Sequence, residues 1–244
     1  NYSRLVEAYL RLSEEAQADS TITRLFEAKG ETAATFYYAG HAYFLVGQYD
    51  QAIEYFNQVA QVDASYVDVW NELGWASDYL GEYALAQEAF NRQITLQPES
   101  GDAYYGRGYV QSEIGDYEQA AADYLKAVEV DQTYAKRAYF YRELAIIYHH
   151  LGDTYREEEA AKTAINLYEE PVRGYTDMGW GYYYIGAYDQ ALDYFNEAVN
   201  RDPKYVSAYN GQGWSYYYMG NYATAVLCFE NGLAVDPQNA DIYD

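Results

Sequence analysis

One motif returns along this chain at an interval of 34 residues, and that recurrence limits the possible folds more than any other property. A glycine followed two places later by a tyrosine stands at Gly47/Tyr49, Gly81/Tyr83, Gly115/Tyr117, Gly186/Tyr188 and Gly220/Tyr222. Gly152 completes the series, 34 residues before Gly186 and 37 after Gly115, which places a three-residue insertion near Ala135, Lys136 and Arg137. A fixed period of this length predicts stacked identical units in place of a single globular core.

Around each glycine the same frame recurs. Counting from Val67, the residues Trp70, Leu73, Gly74, Gly81, Tyr83, Ala86, Phe90 and Pro98 occupy slots 4, 7, 8, 15, 17, 20, 24 and 32. Counting from Val206, Tyr209, Gly213, Tyr216, Gly220, Tyr222, Ala225, Phe229 and Pro237 fall in the same frame. Slots 4, 7, 8 and 11 are spaced as one stripe of an α-helix, and slots 17, 20, 24 and 27 as a second. The glycine between them permits a tight turn, small residues at slots 8 and 20 allow close approach, and proline at slot 32 ends the second helix. Neither helix buries its stripe alone, so neighbouring units must supply the missing surface.

This frame resembles the tetratricopeptide repeat, whose pattern is W-x2-L-G-x2-Y, then A-x3-F, then P. The resemblance implies an all-α, right-handed α-solenoid of stacked helix-turn-helix repeats. It divides the chain into a degenerate N-terminal repeat or cap over 1–32, repeats over 33–66, 67–100 and 101–134, an atypical repeat with the insertion over 135–171, repeats over 172–205 and 206–239, and the start of a further repeat over 240–244. In the degenerate repeat Ser13 replaces the turn glycine. In the atypical repeat Thr154, Glu157 and Ala161 stand where other repeats carry tyrosine, alanine and an aromatic, which predicts a more thinly packed second helix.

The balance of 15 basic against 38 acidic residues gives a formal charge of −23, a field that repels nucleic acid and anionic membrane. No apolar run is long enough to insert across a membrane. A single cysteine, Cys228, excludes an internal disulfide framework and a multi-cysteine zinc site. Seven of the 15 basic residues lie between Lys126 and Arg173; local charge balance accounts for them, with a docking patch for an acidic partner as the alternative.

Tyrosine, at 34 residues, is in large excess. Seventeen occupy repeating family positions, and nine of the other seventeen fall at slots that, by the resemblance, line a concave groove on the first helices. Carried over slot by slot, the groove presents Tyr37, His41 and Phe44, then Trp75, Asp78 and Tyr79, then Tyr105 and Tyr109. Beyond the insertion it presents Tyr139 and Arg142, then Trp180, Tyr183 and Tyr184, then Trp214, Tyr217 and Tyr218. Rigid amphipathic rings bury area at low entropic cost, so such a surface suits recognition of a protein or peptide partner. The same rings could instead pack between neighbouring first helices as core, and the Gly-Trp pairs at Gly74-Trp75, Gly179-Trp180 and Gly213-Trp214 fit either role. The slots carry few basic residues, so the family's carboxylate-clamping activity is not expected. An extended apolar peptide, a partner helix or a carbohydrate stacking on the rings fits better.

No phosphate-binding loop or HExxH pair occurs, and His149 and His150 diverge by roughly 100° around one helix, which disfavours a metal site. No cofactor is implied. The leading expectation is a non-catalytic protein-interaction scaffold. The alternative is a structural subunit that self-assembles head to tail into a filament, secreted or at the cell surface, through Tyr2, Leu5 and Tyr9 at one end and Tyr243 at the other. Asn1-Tyr2-Ser3 reads as a glycosylation acceptor in that setting.

Overall fold

The computed structural model describes residues 2–238; Asn1, Tyr243 and the start of the further repeat lie outside the described residues. Fourteen α-helices, one 3-10 turn and no strand occur among them. Contacts divide the chain into two compact units, Asn1–Gln132 and Thr133–Asp244.

The first unit contains α1 (Tyr2–Arg11), α2 (Glu15–Lys29), α3 (Ala33–Leu45), α4 (Tyr49–Val62), α5 (Val67–Tyr79), α6 (Tyr83–Leu96), α7 (Gly101–Glu113) and α8 (Tyr117–Val130). The second opens with the 3-10 turn Tyr134–Lys136, which takes up the insertion, and continues with α9 (Ala138–His150), α10 (Thr154–Asn166) and α11 (Pro171–Tyr184). It ends with α12 (Tyr188–Arg201), α13 (Val206–Tyr218) and α14 (Tyr222–Val235). Each unit is a stack of helical hairpins, the α-solenoid architecture.

The turns follow from local chemistry. Gly81 has φ +74°, a left-handed conformation that costs a side-chain-bearing residue energy. Ser13 adopts φ +58° at the corresponding turn, so the degenerate repeat keeps the geometry without the glycine. Proline follows the ends of α6, α12 and α14 at Pro98, Pro203 and Pro237, while Pro171 opens α11 at its first position, where the missing N–H has no intrahelical role.

Packing depends on a ring-into-glycine fit. Phe90 of α6 is fully buried between Gly74 of its own repeat and Gly106 of the next; a Cβ at either glycine would lie 2.6 or 2.4 Å from the ring. Phe195 of α12 is held in the same way between Gly179 and Gly211. In α10 the equivalent residue is Ala161, and the buried side chains there are Ala160, Ala161, Ala164 and Ile165. The helical stripe inferred from the sequence is also incomplete. Slots 3 and 10 are buried as well, at Val69 and Ala76, Ala103 and Val110, and Ala208 and Ser215, because the first helix of each hairpin packs against the preceding second helix too.

Candidate functional site

The tryptophans of the three Gly-Trp pairs pack on the core and are also partly exposed. Trp75 meets Phe90 edge-on at 5.4 Å and 76°, Trp180 meets Phe195 at 5.2 Å and 73°, and Trp214 meets Phe229 at 5.6 Å and 75°. The preceding glycine brings the second-helix phenylalanine close enough for this contact, so one side of each indole rests on the core. The other side stays accessible, and all three rings are half-buried. Edge-to-face geometry of this kind fixes a ring's orientation as well as burying it.

In the first unit these rings shape a cavity of about 380 Å³ lined by Phe44, Trp75, Asp78, Tyr79, Tyr105 and Tyr109. Trp75 lies 5.9 Å from Tyr105 and 5.6 Å from Tyr109, forming one wall. Phe44 and Tyr79 form the other, 6.3 Å apart, with Tyr79 stacked on Tyr49 at 4.5 Å. Asp78 is the lone acid in this lining. Its Oδ1 is shielded from solvent and has no hydrogen-bond partner. Burial, with the nearby negative charge of Glu113 adding to it, pushes the Asp78 carboxyl up to about 6.

Tyr37 and His41 take part in a different arrangement. The Tyr37 hydroxyl donates to Glu72 Oε1 at 2.6 Å, and His41 Nδ1 lies 2.8 Å from Oε2 of the same carboxylate, with the two rings stacked at 5.8 Å. The hydrogen bond to Glu72 raises the His41 pKa, burial opposes it, and the charge of Glu72 adds to the rise. Sequence reasoning missed Glu72, since slot 6 was not among the groove slots. Its acidic side chain 35 residues after Tyr37 was the available signal.

In the second unit Arg142 is committed to carboxylates, reaching Asp177 at 2.5 Å and Glu143 at 2.7 Å. Trp180, Tyr183 and Tyr184 cluster on α11, with Trp214, Tyr217 and Tyr218 on α13. Tyr183 contacts Tyr218 at 5.9 Å, and Tyr188 stacks on Tyr218 at 5.8 Å and 14°, repeating the Tyr49–Tyr79 stack of the first unit. Tyr184 and Tyr218 are 78 % and 57 % exposed, so much of each ring remains in solvent.

Elsewhere, Tyr2 and Tyr9 are half-buried and Leu5 is exposed on α1. Of the seven basic residues between Lys126 and Arg173, five form ion pairs with neighbouring carboxylates: Lys126, Arg142, Arg156, Lys162 and Arg173. His149 bonds to Glu157, and no metal-binding group of three or more His, Cys, Asp or Glu occurs among the described residues. Cys228 is buried, which raises its thiol pKa. No described helix is long and apolar enough to cross a membrane.

Models of the tetratricopeptide repeat match residues 33–66, 67–100, 101–134, 172–205 and 206–239. The unmatched stretches contain the degenerate first hairpin and the hairpin that follows the insertion. No curated protein sequence matches the chain. Among solved structures it is similar to a tetratricopeptide repeat protein from Parabacteroides merdae, with 16 % identity over 99 % of this chain and 96 % of that one and a TM-score of 0.69. The C-terminal part of a TPR repeat-containing protein from Cytophaga hutchinsonii shows 15 % identity over 99 % and 98 %, with a TM-score of 0.65. The pilF protein of Pseudomonas aeruginosa shows 16 % identity over 86 % and 95 %, with a TM-score of 0.58. At these identities the likeness is one of fold. The family models, covering more than half of the sequence, carry the assignment: the chain belongs to the tetratricopeptide repeat family.

Proposed function

We propose that this protein is a non-catalytic interaction scaffold that binds a polypeptide partner on the aromatic faces of its first helices. One observation carries this reading: the groove rings are anchored on one side by the core and left accessible on the other. Such rings are pre-ordered, so a partner gains contact area without the entropic cost of fixing side chains. Phe44, Trp75, Asp78, Tyr79, Tyr105 and Tyr109 form the surface in the first unit, and Trp180, Tyr183, Tyr184, Trp214, Tyr217 and Tyr218 in the second.

The test uses peptides selected from a random library on the intact chain. Replacing Trp75→Ala with Tyr79→Ser in the first unit, or Trp214→Ala with Tyr218→Ser in the second, weakens the selected peptides by about 2 kcal/mol or more. The helical circular dichroism signal is retained. Peptides that bind both double variants as tightly as the parent chain would refute the reading.

A second reading, head-to-tail self-assembly, is favoured by an apolar side chain that a second copy would cover, Leu5 on α1, 42 % exposed. Electron microscopy of the purified chain and of Leu5→Asp decides it. Filaments that vanish in the variant support assembly; a concentration-independent monomer removes it.

A further inference from the structure

We propose that the cavity lined by Phe44, Trp75, Asp78, Tyr79, Tyr105 and Tyr109 is a receptor for one arginine side chain of the polypeptide partner, with the guanidinium between the aromatic walls and against Asp78. The inference rests on the aromatic-face reading above and narrows it to a chemistry. A carboxylate lining an aromatic cavity, with one oxygen covered and without a donor, is an incomplete arrangement. Glu113 adds negative potential, and among the described residues no cation offsets it. The missing group is therefore a cation with hydrogen-bond donors, and ring faces on either side attract that cation through their quadrupoles.

The chain itself shows which cation fits. Arg107 places its guanidinium 5.6 Å from the Tyr104 ring centre while donating two bonds to Asp123, at 2.7 and 2.6 Å. Arg92, Arg137, Arg156 and Arg201 lie over Trp70, Tyr134, Tyr148 and Tyr175 at 4.1–5.8 Å. A planar guanidinium stacks on a ring and bonds a carboxylate at once, which a compact ammonium cannot do with the same geometry. Asp78 has the ring and the acid and lacks only the arginine.

The test follows the indole N–H resonance of Trp75 in the full chain, assigned with Trp75→Phe, during titration with the capped tripeptide acetyl-Gly-Arg-Gly-amide. A saturable shift is expected, with a Kd on the order of millimolar for so small a ligand. Asp78→Asn, which preserves shape, weakens binding about tenfold or more while the rest of the amide spectrum stays in place. The matching citrulline and lysine tripeptides bind more weakly than the arginine one. Equal shifts from either, or an unchanged Kd in Asp78→Asn, overturn the proposal. Library-selected peptides that need Trp75 and Tyr79 yet bind Asp78→Asn undiminished would overturn the arginine and leave the aromatic-face reading standing.

Discussion

The two units solve the same junction with different chemistry. In the first, Tyr37 on α3 donates to Glu72 on α5; in the second, Arg142 on α9 reaches Asp177 on α11, and both pairs are separated by 35 residues. Both therefore join slot 5 of one repeat to slot 6 of the next. One junction is a phenol and a histidine sharing a carboxylate, whose charge depends on pH; the other is a guanidinium that stays charged throughout. At the junctions that lead into α7 and α13 slot 6 is glycine, Gly106 or Gly211, and the preceding phenylalanine ring fills the space. At these four junctions the contact has a polar form and an apolar form, and the residue at slot 6 goes with one or the other.

The largest expected effect concerns the apolar form. Phe90→Ala and Phe195→Ala each empty a fully buried site between two glycines and should cost about 3–5 kcal/mol by denaturant unfolding. Similar costs would show that the contact is equivalent in the two units; a twofold disparity would break the comparison. Arg142→Ala leaves Asp177 and Glu143 half-buried without their cation, and should cost about 2–3 kcal/mol. Its effect is expected in hydrogen-exchange protection of α9 and α11, with α3 and α5 unchanged.

Asp78→Asn should do the reverse and stabilise the first unit. The folded carboxyl titrates at about 6, above its unfolded value, so the unionised form is favoured by folding. Stability from this group is complete below the unfolded pKa and lost as pH rises through about 6. The variant should gain about 1–2 kcal/mol at pH 8, allowing for solvent screening, and nothing at pH 4. A gain that persists at pH 4 would show that the substitution acts through packing.

The smallest effect is at the polar junction of the first unit. The raised His41 pKa means that its contribution is present below the unfolded histidine value and fades as pH rises through the folded one. The loss is read as a slope in the pH–stability profile above the unfolded histidine value. His41→Gln should flatten that part of the profile in the first unit. The Arg142 junction should show no such slope, and a slope there would contradict the contrast drawn between the two.

Much of this protein was legible in its residues. The 34-residue period, the turn glycines and the spacing of Trp70, Leu73, Gly74 and Ala86 located the helical hairpins, because an α-helix writes its buried stripe locally at intervals of three and four. The atypical repeat was visible in Ala161 where a ring belongs. What the residues could not decide was whether Trp75, Trp180 and Trp214 belong to core or surface, since both demand the same residue type at the same slot. Nor did they reveal the burial of slots 3 and 10, the pairing of Tyr37 and Arg142 with acids 35 residues away, or the absence of a donor at Asp78. Those properties are set by how one hairpin stacks on the next. Local periodicity encodes which side of a helix is apolar; only the packing of distant segments determines which groups meet across the seam and which are left without a partner.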